Sequence, residues 1–275
     1  MEESSQMDLA LLENLTGDEY LRKTWDKEDV CEHNTLDALS MLGVKAPNIL
    51  PSIGRVLIYL EATASCAFGC VGGDHAMERL LFRSCNRSRA AIRLARLGFY
   101  DESLLLTRAI GETTNLLALF KADPDSMTAW ANAESWTSKP VKIRCKLEEL
   151  GEPVPADNQR YNLLSGLAAH NDPNHIPAAH NVSRRPVAPG TFSPEGLLLC
   201  LNELGLQLTF TALSVPGCFQ LPSKAKAAVL KAGRTLGENL GGFTVDLQSE
   251  YWNNLRLELN KLSTDPQSAD TPSVN

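Results

Sequence analysis

Apolar residues recur three and four positions apart along most of this 275-residue chain, and stretches that alternate apolar with polar are nearly absent. No other feature constrains the fold as strongly, because a 3.6-residue repeat buries one stripe of a helix and cannot bury one face of a strand. The residues between are rich in Leu, Ala, Glu, Lys and Arg, all good helix formers. The chain is therefore expected to be all-α, a helical bundle with long antiparallel helices. An apolar content of 43% over this length is enough for a full core and excludes disorder as the main state.

Glycines, prolines and caps divide the chain. Residues 35–43 predict a short helix stopped by Gly43 and a turn at Pro47 to Pro51. A long helical region follows over 52–97, bent around Gly69 to Gly73 and ended by Gly98. Asp101 is expected to cap a helix to about Lys121. Asp123-Pro124 opens another to about Trp136, and Lys139-Pro140 opens one that stops at Gly151. Asp157 starts a helix that must end near His170, where Asn171-Asp172-Pro173-Asn174 signals a turn. Five prolines between 171 and 196 predict a long loop, and Ser193-Pro194 restarts a helix to about Leu213, with a break at Pro216-Gly217. Residues 224–240 and 248–262 predict closing helices. The domain plan is an acidic arm over 1–34, a bundle over 35–262 and a disordered tail over 263–275.

The net charge of -7 lies in the arm: residues 1–34 hold ten acids and three bases, and the rest of the chain holds 23 of each. The overall acidity therefore does not exclude an anionic partner for the body. No run of 18 apolar residues appears, and the first residues lack the basic and apolar regions of a secretory signal, which predicts a cytoplasmic chain without a membrane partner. Seven cysteines without a pairing pattern predict reduced, mostly buried thiols.

One basic surface stands out. Arg79, Arg83, Arg87, Arg89, Arg93 and Arg96 carry no acid between them and fall within about half of the helix circumference at roughly 100° per residue. Leu80, Leu81, Cys85, Ala91, Ile92 and Ala95 form the opposite half, with Phe82, Leu94 and Leu97 lying among the arginines. Planar guanidinium forks suit phosphate oxygens, so the six are candidates for nucleic-acid binding. The competing expectation is a solvated face or pairing with the acidic arm. A second candidate is Arg108 with Glu112, the sole charges between Ser103 and Phe120 on a helix apolar on most sides. Such a helix should be central, and its i,i+4 pair should contact the helix that starts at Asp157.

Histidine and cysteine patterns predict no metal centre and no cofactor. His170, His175 and His180 are five residues apart in a proline-rich loop, which matches no ligand spacing. Cys66, Cys70 and His75 lack a second ligand pair, and buried thiols on a helix account for the cysteines. No phosphate-binding glycine motif, nucleophile elbow or paired-carboxylate motif is present.

The stretch from Gly98 to Glu112, with Glu102, Leu106 and Arg108, resembles the G-x-x-x-E-A-x-x-L-x-R-x-x-x-E helix of a prokaryotic group of uncharacterised helical proteins. Tyr161, Leu164 and Ser165 followed by His170 resemble that group's Y-R-x-L-S-x-x-x-H segment, with Asn162 in place of its Arg and one extra residue before His170. The group is similar to the HEPN superfamily of helical bundles, which often dimerise and include ribonucleases of toxin and antiphage systems as well as non-catalytic RNA binders. The resemblance implies a homodimer that interacts with RNA or a nucleotide, in a defence or toxin system, with Arg108, Glu112, Ser165 and His170 at its site. A catalytic HEPN site places an Arg four to six residues before its His. Here Arg160 precedes His170 by ten, about 15 Å of helical rise, so efficient ribonuclease activity is not expected. The alternative is a non-enzymatic protein–protein interaction module.

Overall fold

The computed structural model describes residues 16–41, 49–69, 75–168 and 190–240. Among them the chain is a bundle of nine α-helices without strands: α1 Gly17–Met41, α2 Ile49–Ala64, α3 Ala76–Arg96, α4 Tyr100–Ala122, α5 Pro124–Ala131, α6 Pro140–Glu149, α7 Asn158–Ala168, α8 Pro194–Cys218 and α9 Ser223–Asn239. The expected all-α class holds. The expected helix over 248–262, the tail over 263–275 and most of the loop over 171–196 lie outside the described residues.

The acidic segment does not separate from the bundle at residue 34. Helix α1 runs through that boundary. It opens on a capping box: Glu19 N–H donates to Thr16 Oγ1 at 3.2 Å, and Thr16 N–H donates to Glu19 Oε2 at 2.9 Å. The Thr16 N–H and the Thr16 hydroxyl, both donating to the Glu19 carboxylate, hold that carboxyl below its ordinary range. Farther along, Cys31 and Thr35 are buried, and Thr35 Oγ1 donates to the Arg96 carbonyl, which docks α1 on the end of α3.

Two prolines sit inside helices where breaks were expected. Pro51 lies in the first turn of α2, where its missing N–H has no helical partner to lose. Pro216 lies in the last turn of α8, which continues to Cys218 because buried Val215 and the Cys218 thiol, donating to the Leu117 carbonyl, hold that turn against α4. Conversely, α5 ends at Ala131 rather than near Trp136, since Ala133 adopts a left-handed conformation, φ 56°.

The centre of the bundle is the pair α4 and α8, flanked by α3 and α9. Ile110, Leu117 and Phe120 of α4 and Leu197, Leu204 and Leu208 of α8 are buried in one core. By length and composition, Gly196–Cys218 could cross a bilayer, but 83% of its apolar window is buried inside the bundle, as for a core helix. Burial also pushes the Cys85 thiol up to about 12, which keeps it an unreactive apolar group.

The turn from α3 into α4 depends on Gly98, whose φ is 84°. There the Phe99 N–H reaches back to the Leu94 carbonyl, and a Cβ on Gly98 would lie 2.8 Å from Thr191 O and 2.9 Å from Cys31 Sγ. Gly98→Ala therefore combines left-handed strain with displaced backbone and is expected to cost about 1–3 kcal/mol. A lower urea midpoint at unchanged slope checks this, and a midpoint equal to that of the wild type would contradict it.

Candidate functional site

The six arginines of α3 separate into two groups. Arg93 and Arg96 both bond Glu32 of α1, with Arg96 Nη2 at 2.7 Å, and Arg89 lies 3.7 Å from Glu61 of α2. Pairing with the acidic segment thus accounts for Arg93 and Arg96, while Arg89 meets an acid of the bundle itself. Arg79, Arg83 and Arg87 instead line an open groove of about 760 Å³. This groove lies between the end of α2 and the outward face of α3, with Leu106 of α4 contributing to its wall. Arg83 makes no ion pair among the described residues, and Arg87 donates to the Ala109 carbonyl. Burial, together with the neighbouring Arg83, lowers the pKa of Arg87, while Glu112 opposes that shift. Phe82 is 41% exposed on the same groove, with Asn86 beside it. The groove therefore offers like-charged guanidinium groups, an aromatic face and an amide.

At one end of the groove stand Cys66, His75 and Glu78. Cys66 follows the end of α2, His75 occupies the N-cap of α3, and Glu78 lies in the first turn of α3. Cys66 Sγ is 3.7 Å from His75 Nδ1, which is 3.9 Å from Glu78 Oε2. Cys66 is thus in a turn rather than on a helix, and Glu78 joins the pair although the sequence pattern did not include it. Cys70 lies outside the described residues.

The second predicted site is a separate cluster. Arg108 pairs with Glu112 at 3.4 Å, and Arg108 Nη2 donates to the Tyr161 hydroxyl of α7, the expected contact between these helices. The pair is partly exposed rather than deep inside, at 22% and 33% of its side-chain surface. Two guanidinium groups lie over the Tyr161 ring, Arg108 Cζ at 4.4 Å from its centroid and Arg144 Cζ of α6 at 4.3 Å. Arg144 also donates to Asn158 Oδ1. Ser165, one turn beyond Tyr161, is buried, and its hydroxyl has no hydrogen-bond partner among the described residues. His170, like His175 and His180, lies outside the described residues.

One functional-looking arginine serves the core. Arg160 Nη1 donates to both carboxylate oxygens of Glu203 at 2.7 and 2.6 Å, and Glu203 is fully buried on α8. Burial pushes the Glu203 carboxyl above the usual range, and Arg160 opposes that rise. A cation held this way is not available to a phosphate.

Comparison with protein-family models, with curated proteins and with solved structures finds no match to this chain.

Proposed function

We propose that the protein binds single-stranded RNA or a nucleotide in the groove between α2 and α3, consistent with the HEPN-like resemblance. The observation that carries this reading is the convergence of Arg79, Arg83 and Arg87 on one groove wall beside the exposed ring of Phe82. Arg83 and Arg87 are i,i+4 neighbours of like charge, an arrangement unfavourable in a bare helix and relieved by an anion between them. An exposed aromatic ring among cations offers a base a stacking face. Metal-free cleavage through an Arg/His pair is not part of this function, since Arg160 is committed to Glu203. Homodimerisation belongs to the same proposal, and sedimentation tests it.

Titration of labelled single-stranded RNA at low and moderate salt tests the binding. The affinity should fall with salt, and Arg83→Ala with Arg87→Ala should flatten the log–log salt slope by about 1.4, two phosphate contacts at roughly 0.7 each. Phe82→Ala should cost about 1–3 kcal/mol of affinity and leave the slope unchanged. Competition by mononucleotide separates a nucleotide site from a strand site. No binding at low salt, or binding untouched by the double substitution, would favour the interaction-module alternative.

A further inference from the structure

We infer that Cys66, His75 and Glu78 form a site for one divalent transition-metal ion of the zinc class, open toward the arginine-lined groove. The three donor atoms lie within 4.8 Å of one another. Around a tetrahedral ion with bonds of about 2.0–2.3 Å, donors sit about 3.3–3.8 Å apart. The spacings of 3.7 Å for sulfur to nitrogen and 3.9 Å for nitrogen to oxygen are close to that range. The first is also the length of a thiol–imidazole hydrogen bond and the second that of a loose ion pair, so the three side chains already converge before an ion is added.

The donor set narrows the ion. A thiolate, an imidazole and one carboxylate suit zinc and cobalt, whereas magnesium and calcium require oxygen donors. Three protein ligands is also the number that leaves a coordination position open. Because all three residues line the groove, that position is accessible to water or to a phosphate oxygen held by Arg79 and Arg83. The backbone supports the convergence. Cys66 and His75 have φ of 58° and 56°, so neither continues its helix, and the two side chains meet across the junction between α2 and α3. The metal site does not rest on the RNA reading, since an ion can bind whether or not a strand follows.

The test is a titration of chelator-treated full chain with Co²⁺, followed by competition with Zn²⁺. Wild type should take up one equivalent and develop a thiolate-to-cobalt charge-transfer band with four-coordinate visible absorption. Cys66→Gly should abolish the band, and His75→Gly and Glu78→Gln should each weaken binding on the order of tenfold or more. Glycine accepts the positive φ at both turn positions, so these two variants keep the fold, and metal-free melting curves equal to the wild type's would confirm it. Cys145→Ala removes an exposed thiol elsewhere and should change nothing. Arg83→Ala with Arg87→Ala should retain the ion, so loss of RNA binding and loss of metal binding are read separately. The inference is overturned if wild type shows no cobalt–thiolate band, if the band survives Cys66→Gly, or if Cys145→Ala removes it equally.

Discussion

Arg160→Met is expected to lower the stability of the folded chain by about 3–5 kcal/mol at neutral pH, because it leaves the buried Glu203 carboxylate without its counter-charge. Against a total of roughly 5–15 kcal/mol, a loss of that size should lower the melting temperature by roughly ten degrees. The pH dependence follows from the direction of the Glu203 shift. Burial already holds that carboxyl above its ordinary value of 4.5, and without Arg160 nothing opposes the rise. A group whose folded pKa is raised contributes its full stability below the unfolded value and loses it as pH rises through the folded value. The deficit of Arg160→Met should therefore be largest at neutral pH and shrink on acidification. Adding Glu203→Leu should recover most of the loss, since an apolar pair of similar volume removes both desolvation costs. Calorimetry across pH decides the matter. A wild-type melting temperature for Arg160→Met at neutral pH would mean that water, rather than Arg160, satisfies Glu203.

This ion pair marks a boundary of what the sequence discloses. The helical class, the central position of α4, the Ser193 cap accepting from Gly196 N–H and the left-handed Gly98 all follow from local periodicity and turn chemistry. The capping box of Thr16 and Glu19 was equally local, and it signalled a helix start well before residue 35. The division of the arginines was also present in the helical angles. At about 100° per residue, Arg79, Arg83 and Arg87 span roughly 80°, and Arg89, Arg93 and Arg96 occupy a separate sector of roughly 60°. Which sector meets acids depends on where α1 docks, and no local pattern contains that. Arg160 with Glu203, 43 residues away, has the same character. So does the approach of Cys66 to His75, which requires α2 and α3 to pack side by side. The signal for Glu78 was its place in the first turn after His75, one helical step from a potential ligand.

The other large effect should come from Asn115, a buried residue of α4 that no sequence motif singles out. Its amide nitrogen donates to the Ala156 carbonyl at 2.9 Å, and its oxygen accepts from the Ala156 N–H at 2.9 Å, so one side chain satisfies both backbone groups of a buried loop residue. Asn115→Leu fills similar volume but leaves both groups unpaired, which at about 1–3 kcal/mol each predicts a loss of roughly 2–6 kcal/mol. The damage should be directional. Ala156 immediately precedes Asp157, whose carboxylate accepts from Arg160 N–H at 2.7 Å in the first turn of α7. That turn positions Arg160 on Glu203 and Tyr161 against Arg108 and Arg144. Amide exchange in Asn115→Leu should therefore accelerate first in α7, before the α4–α8 core opens. The groove between α2 and α3 does not use α7, so RNA and metal titrations of the variant below its melting range should match the wild type. A uniform rise in exchange across α4, α7 and α8 would instead mean that the loop and the core open as one unit, with Asn115 acting through global stability alone.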